Sequence, residues 1–234
     1  MAGPDKIVFY NHPRCPFAAR AVIAFEETKH KYEEVYIDIN TPRPDWYLKD
    51  INPYGQVPAL KIDDKDVIYE SLFVVEYLSD LHPEANLFPK DALQRAQVRY
   101  LVHHYSTHVH PVQNKAAYTA DHEQAAKHRE ELVVQLEKFS KLLDKVHRTE
   151  NDVKEDGRFF LGDQFTFADL ALAPFLARLF LVAAYNNNKE LTVEEFPQLK
   201  RFFEWKETIA ERPSVQKSTP TKEFMIEQHR KWVK

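Results

Sequence analysis

The sequence contains a single cysteine, Cys15, and its position favours thiol chemistry. The apolar run Ile7 to Tyr10 predicts a strand just before it, and the amphipathic stretch Ala18 to Phe25 predicts a helix just after it. A cysteine at a helix N-terminus faces unpaired backbone N–H groups and the positive end of the helix dipole, which stabilise the thiolate. Pro16 suits the first helical position, where a missing N–H costs no hydrogen bond. The pattern predicts a reactive thiolate, with a buried, inert cysteine as the competing interpretation.

A second candidate site is formed by Glu70 and Ser71. Ser71 is predicted to cap a helix that carries Leu72, Val75 and Leu78 and ends near residue 82. The hydroxyl and the free backbone N–H groups at a helix start suit a carboxylate, and Glu70 suits an ammonium group. A simple helix cap and a solvated acid would explain the same two residues, so both interpretations remain open.

Composition restricts the classes of partner. The chain has 234 residues, 44% of them hydrophobic, and a formal net charge of −4 with acids and bases interspersed. Such a surface favours neither nucleic acid nor anionic lipid, and no apolar run is long enough to span a membrane. One cysteine excludes an internal disulfide and every zinc site that needs several cysteine ligands. We expect a cytoplasmic protein with no nucleic-acid or membrane partner.

The elements that would position these residues differ between the two parts of the chain. The first part alternates between strands and helices in the order βαβαββα, and its first strand, helix and strand predict parallel pairing. The predicted segments are the strands Ile7 to Tyr10, Glu33 to Ile39, Val57 to Ile62 and Val67 to Tyr69, with helices over Pro16 to Lys31, within Thr41 to Ile51 and from Ser71.

After Pro83 every periodic segment is helical. The predicted helices are Asp91 to Tyr118 with a break at Pro111, Glu123 to His147, Ala168 to Tyr185, Phe196 to Arg212 and Thr221 to Val233, with a polar loop over 151–157. Thr166 and Asp169 predict a reciprocal N-cap of the capping-box type. These patterns predict a domain over 1–83, a linker over 84–91 and an all-helical domain over 92–234.

Four short motifs occur in a specific order. They are Cys15-Pro16-Phe17-Ala18, Arg43-Pro44-Asp45-Trp46, Asn52 to Leu60 and Tyr69-Glu70-Ser71, and the run FLGDQFTFADLALAP follows in the helical part. Together they resemble the glutathione transferases, and the order of the four resembles the omega class. The resemblance implies an α/β thioredoxin-like domain followed by an all-α helical bundle.

The resemblance also implies roles for individual residues. Glutathione would be the co-substrate, with no tightly bound cofactor and no metal. Cys15 would be catalytic, and the glutathione-binding residues would be Phe17, Arg43, Val57, Pro58, Glu70 and Ser71. Arg43 stands where the omega class usually has a lysine that meets the glycyl end of glutathione, and the Val57–Pro58 bond would be cis.

The expected chemistry is reductive, because a cysteine is itself a nucleophile and can form a mixed disulfide. No second cysteine is present to resolve that disulfide, so an external thiol is required. The resemblance implies glutathione-dependent thiol transfer, deglutathionylation or detoxification by a homodimer acting on glutathionyl adducts, mixed disulfides or small hydrophobic or aromatic electrophiles. The alternatives are a protein that binds hydrophobic compounds with incidental catalysis, and an intracellular chloride channel-like protein.

Histidines cluster between His103 and His110, and His104 and His108 lie one helical turn apart. No carboxylate or cysteine completes an obvious metal set with them. The resemblance instead places Tyr100, His104, Tyr105 and His108 along a second-substrate cleft.

Overall fold

The computed structural model describes residues 4, 6–145 and 158–234. Contacts between Cα atoms divide the chain into two compact units, Met1–Leu87 and Phe88–Lys234. The division lies inside the segment 84–91 that the sequence predicts as a linker. The predicted polar loop over 151–157, and the end of the predicted helix at Val146 and His147, lie outside the described residues.

The first unit is built on a mixed four-stranded sheet. Its elements are β1 (Ile7–Asn11), α1 (Pro16–Thr28), β2 (Glu33–Tyr36), α2 (Asp45–Asp50), β3 (Ala59–Ile62), β4 (Asp66–Tyr69) and α3 (Ser71–Leu81). The sheet order is β2-β1-β3-β4, with β2 parallel to β1, and β3 antiparallel to both β1 and β4. The predicted βαβαββα order and the parallel first pair are confirmed.

The central strand β1 is buried along its whole length, and alternate residues face two different layers of core. The ring of Phe9 lies 5.3 Å from that of Phe25 on α1. Tyr10 belongs to a second cluster that includes Tyr47, and Cys15 packs against this cluster. The end of β1 and the start of α1 therefore pack against core residues on both sides of the sheet.

Several of the predicted boundaries in this unit are wrong, and β3 begins at Ala59 instead of Val57. Helix α1 ends at Thr28 instead of Lys31, because Lys29 adopts a left-handed conformation with φ of 57°. Strand β2 ends at Tyr36 instead of Ile39. The side chains of Val35, Ile37 and Ile39 nevertheless pack on one cluster, as the alternation predicts.

The second unit is helical in its described part. Its helices are α4 (Ala92–His104), α5 (His110–Tyr118), α6 (His122–Asp144), α7 (Phe167–Leu176), α8 (Lys200–Ala210), α9 (Pro213–Ser218) and α10 (Lys222–His229). The sequence patterns do not predict α9. In the described part of the chain, no helix combines the length and the apolarity that crossing a membrane requires.

The predicted break at Pro111 takes the form of a π-helical turn. Residues Tyr105–Val109 form this turn, and α5 begins at His110 directly after it. Proline lacks the N–H that would continue the regular ladder, and a wider turn accommodates that gap.

Helix α7 is shorter than predicted, ending at Leu176 and not at Tyr185. The amide of Arg178 bonds to the carbonyl of Phe175, three residues back, so the backbone tightens from α-helical to 3₁₀ geometry. The Arg178 guanidinium donates to the carbonyl of Pro174 at 2.7 Å, and Leu179–Ala183 continue as a 3₁₀ helix. The continuous apolar pattern reflects burial of the whole segment rather than one long helix.

The predicted capping box at the start of α7 is confirmed, and its acid is fully buried. One carboxylate oxygen of Asp169 accepts from Thr166 N at 2.8 Å and Thr166 Oγ1 at 2.7 Å. The other accepts from Trp205 Nε1 at 2.7 Å and Phe160 N at 3.0 Å. One residue therefore joins the start of α7 to α8 and to the preceding loop.

Candidate functional site

Cys15 occupies the N-cap position of α1, and Pro16 is the first residue of that helix, as predicted. The carbonyl of Cys15 accepts from the amide of Ala19 at 3.1 Å, which starts the helical ladder. The side chain is only half-buried, and Sγ lies 3.4 Å from the carbonyl oxygen of Val57, within range of a weak S–H donor. The thiol is therefore positioned at a helix N-terminus and is accessible to a reactant.

The turn that leads into Cys15 is shaped by His12. The amide of Cys15 donates to the His12 carbonyl at 3.0 Å, and the amide of Arg14 donates to His12 Nδ1 at 3.0 Å. Since Nδ1 accepts that bond, the ring hydrogen is assigned to Nε2, which lies 3.0 Å from Tyr36 Oη. The His12 ring therefore positions the turn, while Tyr10 packs in the core beside Tyr47.

Two buried arginines lie close enough to Cys15 to interact with its charge. Arg14 is 2% exposed and donates from Nη1 to Asn40 Oδ1 at 2.6 Å. Arg20 is 3% exposed and donates from Nη1 to Ser71 Oγ at 3.0 Å. Burial lowers the pKa of Arg20 to about 9, and the negative charge of a Cys15 thiolate opposes that shift. The attraction is mutual, so both guanidinium groups favour the ionised thiolate.

Neither arginine is among the residues that the sequence analysis assigns to the site. The sequence does contain one signal for Arg20: it is a charged residue on a helix face that otherwise carries buried residues such as Ala21 and Ala24. A cation at such a position has to find a partner inside the protein. Its partner, Ser71, lies 51 positions further along the chain, and no local pattern identifies it.

The Val57–Pro58 peptide bond is cis, as the family resemblance implies. The loop before it is held by two buried side chains that sequence reasoning did not assign to the site. Tyr47 Oη donates to the carbonyl of Gln56 at 2.7 Å, and Asn52 Nδ2 donates to the same oxygen at 3.0 Å. The carbonyl of Val57 is thereby held next to Cys15 Sγ.

Arg43 donates to backbone carbonyls of the surrounding loops. Its Nε donates to the Gly55 carbonyl at 2.7 Å, Nη1 to the carbonyl of Asp38 at 2.6 Å and to that of Thr41, and Nη2 to that of Ile39 at 3.2 Å. Most of its N–H donors are directed to the protein's own backbone. Arg43 therefore holds the loops around it together, and its contact with a carboxylate of glutathione stays a prediction.

Gly55 is required by this arrangement. It adopts a φ of +65°, and a Cβ there would lie 2.9 Å from Cγ of Arg43. The turn therefore needs a residue that has no side chain and tolerates a left-handed backbone.

The prediction that Ser71 caps α3 is wrong, because Glu70 is the N-cap residue and Ser71 is the first residue of the helix. Glu70 has a φ of 72°, a conformation that is rare for residues with a side chain and is found often at functional sites. Ser71 is buried, and its hydroxyl accepts from Arg20, whereas the Glu70 side chain is exposed. Backbone N–H groups in the first turn of α3 remain suited to an anion.

Arg20 therefore connects the two predicted parts of the site. Its guanidinium contacts Ser71 at the start of α3 and lies 5.4 Å from the ring centroid of Phe17, which is 41% exposed. The arrangement combines an accessible thiol, buried cations and a helix N-terminus in one unit. Chemically, it can stabilise a thiolate and bind an anion.

The four residues predicted for a second-substrate cleft differ in exposure. Tyr105 is 1% exposed, and its hydroxyl donates to Gln113 at 2.8 Å, so it belongs to the core of the helical unit rather than to a substrate surface. Tyr100 is 55% exposed, and the ring of the half-buried His104 lies 4.8 Å from that of His108. Within the described residues, no group of three or more acidic, histidine or cysteine side chains is arranged to hold a metal.

The chain is similar to proteins of one family along most of its length. Residues 14–81 match the family profile "Glutathione S-transferase, N-terminal domain", and residues 115–204 match "Glutathione S-transferase, C-terminal domain". A maleylacetoacetate isomerase of Dictyostelium discoideum is 28% identical over 219 residues, covering 88% of this chain and 91% of that protein.

Two further relatives carry the name omega. A probable glutathione transferase omega-2 of Caenorhabditis briggsae is 31% identical over 211 residues, covering 88% of this chain and 78% of that protein. The crystal structure of glutathione transferase Omega 1C from Trametes versicolor superposes with a TM-score of 0.78 at 25% identity, covering 98% of this chain and 97% of that one. With its mixed four-stranded sheet and the helical unit that follows, this chain belongs to the glutathione S-transferase family.

Proposed function

We propose that the protein is an omega-like glutathione transferase that reduces glutathionylated substrates through a mixed disulfide on Cys15. The observation that carries this proposal is the setting of that cysteine, which is the N-cap of α1 with two buried guanidinium groups close by. If a hydroxyl occupied this position, the nucleophile would be the thiol of glutathione itself. A stabilised thiolate is itself a nucleophile.

The reaction proceeds in two exchanges. The Cys15 thiolate attacks the glutathionyl sulfur of a substrate R–S–SG, the S–S bond breaks, and the substrate leaves as RS⁻, which takes a proton to become RSH. The product on the enzyme is Cys15–S–SG. The thiolate of a second glutathione then attacks the glutathionyl sulfur, releasing oxidised glutathione and the Cys15 thiolate. The substrate gains two electrons, and two glutathione units become one disulfide.

Glutathione is required in the second exchange because Cys15 is the only cysteine in the chain. We assign its glutamyl carboxylate to the start of α3 at Ser71 and its ammonium group to Glu70, with Val57 available as a backbone partner for its peptide groups. Phe17 is exposed beside Arg20 and is available to contact the bound tripeptide. A homodimer in the cytoplasm is part of the same proposal.

A second candidate is glutathione-dependent isomerisation of maleylacetoacetate. It is favoured by the 28% identity with the Dictyostelium discoideum isomerase over 88% of this chain. The two candidates differ in what happens at Cys15. Only thiol transfer requires a covalent glutathionyl adduct on that sulfur.

The test compares Cys15→Ala and Cys15→Ser with the unaltered protein. Serine keeps the side-chain shape and the ability to donate to the Val57 carbonyl but cannot form a disulfide, so it separates positioning from covalent chemistry. We expect both variants to lose reduction of a glutathionylated disulfide by about a hundredfold or more. Mass spectrometry should detect a glutathionyl adduct only on the unaltered protein. Reduction that stays within about threefold in Cys15→Ala would refute the mechanism.

The same three proteins should be assayed with maleylacetoacetate and with a halogenated aromatic acceptor. Isomerase turnover that exceeds disulfide reduction in the unaltered protein, without an adduct on Cys15, would favour the second candidate. Conjugation of the aromatic acceptor that rises in Cys15→Ser would show that glutathione binds correctly and that the sulfur decides the reaction type.

A further inference from the structure

The helical unit contains a cavity that the proposed function does not use. It encloses about 420 Å³ between α7, α8, α9 and α10, and all of its lining residues belong to the second unit. Pockets of roughly 300–1,000 Å³ are typical for small ligands, and a cavity of about 150 Å³ already accommodates benzene. This cavity is therefore large enough for two fused aromatic rings or a medium-length acyl chain.

The walls of the cavity are largely apolar. They include Leu176 from α7, Phe180, Ile209 from α8, Val215 from α9 and Met225 from α10. These apolar side chains have no donors or acceptors, and the polar groups of the lining come from Gln216, Thr219 and three charged residues. The apolar walls favour a hydrophobic body, because burial of apolar surface supplies the free energy of binding.

Three charged side chains also line the cavity: Glu190, Lys206 and Lys222. Lys222 is already engaged, because its Nζ lies 3.9 Å from Glu190 Oε1 and 5.1 Å from the centroid of the Phe180 ring. Lys206 is half-buried, and within the described part of the chain no acceptor or carboxylate makes a hydrogen bond or ion pair with its ammonium group.

The environment of Lys206 is unfavourable for an isolated charge. Burial lowers the pKa of Lys206, while the carboxylates of Glu207 and Glu190 act in the opposite direction. A half-buried ammonium without a partner gains free energy when an anion supplies hydrogen bonds. Two ammonium groups and one carboxylate line the cavity, so the lining itself has one positive charge in excess, and Glu207 acts on Lys206 from outside the lining.

We propose that this cavity binds a small amphipathic monocarboxylate, with its hydrophobic body against the apolar walls and its carboxylate on the ammonium group of Lys206. The charge balance favours a monoanion over a phosphate, since Glu190 repels a second negative charge. The site is independent of Cys15 and of the glutathione-binding residues.

The test uses naphthalene-2-carboxylate and its uncharged analogue naphthalene-2-methanol, titrated calorimetrically into the full chain. Lys206→Met keeps the aliphatic stem and removes the charge, and Lys222→Met is the matched control at the same cavity. Hydrogen bonds to charged groups contribute about 1.5–3 kcal/mol, so Lys206→Met should weaken the carboxylate by about tenfold or more. Lys206→Met should change the affinity for the alcohol by less than about threefold. Lys222→Met should likewise change the affinity for the carboxylate by less than about threefold.

A third variant tests where the two probes bind, without changing any charge at the cavity. Ala210 lines the cavity and is exposed, so Ala210→Trp obstructs its rim without overfilling the core and should weaken both probes. Absence of carboxylate binding at millimolar concentration would overturn the proposal, as would equal losses in Lys206→Met and Lys222→Met. Competition by glutathione would place the probe elsewhere and would also overturn it. Cys15→Ala should leave binding unchanged, so failure of the proposed function and failure of this proposal are separable.

Discussion

Replacement of Asp169 by alanine should remove a large fraction of the stability of the helical unit. The carboxylate is fully buried and accepts four hydrogen bonds, from Thr166 N, Thr166 Oγ1, Trp205 Nε1 and Phe160 N. Alanine leaves all of these donors without that acceptor and opens a small cavity between α7 and α8.

The magnitude follows from those contacts. Each buried donor that loses its partner costs about 1–3 kcal/mol, but the losses are not additive, because the Thr166 hydroxyl can rotate and water can enter the space. The lost acceptor is a carboxylate, and hydrogen bonds to charged groups contribute about 1.5–3 kcal/mol each. We therefore expect Asp169→Ala to lower the free energy of unfolding by about 4 kcal/mol, compared with a typical total of about 5–15 kcal/mol.

The assay is urea unfolding followed by far-UV circular dichroism, because Trp205 fluorescence would respond directly to the lost hydrogen bond. Asp163→Ala is the matched control, since Asp163 is exposed in the same loop and should change stability by less than about 0.5 kcal/mol. The free energy of unfolding of Asp169→Asn should lie between those of Asp169→Ala and Asp163→Ala. Its amide oxygen still accepts from Trp205, but its NH₂ group opposes the amide of Thr166. A loss below about 1 kcal/mol in Asp169→Ala would refute the reasoning.

Two further predictions concern the first unit. Arg43→Met removes the donors that bind the carbonyls of Gly55 and Asp38, so it should raise the KM for glutathione several-fold with little change in kcat and lower the urea midpoint. Burial and the neighbouring His82 lower the pKa of His30 below its ordinary 6.5. The folded state then binds fewer protons than the unfolded state, so stability should be full above about pH 6.5 and fall as the pH drops towards the folded pKa.

Both predictions have direct controls. Arg43→Lys should not rescue the methionine variant, because an ammonium group cannot reach several divergent carbonyls as a planar guanidinium does. Full rescue by lysine would show that only charge matters at this position. His30→Gln should flatten the dependence of the urea midpoint on pH between 7 and 5, whereas an identical substitution at the exposed His103 should not. If the urea midpoint of His30→Gln changed with pH as steeply as that of the unaltered protein, the role assigned to His30 would be contradicted.

Features that depend on neighbouring residues were predictable from the sequence. The alternation of Val35, Ile37 and Ile39 predicts which side of the second strand is buried, and the packing agrees. Cys15 followed by Pro16 predicts the N-terminus of α1, and Thr166 with Asp169 predicts that of α7. Capping and periodicity act over a few residues, so the local sequence contains the information that they require.

The contacts that position the side chains of the site join residues far apart in the sequence, so they depend on the folded chain. Arg20 and Ser71 are 51 positions apart, and only the packing of α1 against α3 brings the guanidinium to the hydroxyl. The same applies to Arg43, whose acceptors are backbone carbonyls that every residue possesses and that no side-chain pattern distinguishes.

The position of Cys15 at a helix N-terminus is thus a property of the sequence, because that terminus is specified by the residues next to it. The burial of Arg14 and Arg20, and the partial burial of Lys206 in the helical unit, arise only when distant segments pack together. Burial determines which charges lose water and need a partner, and burial is set by the tertiary structure.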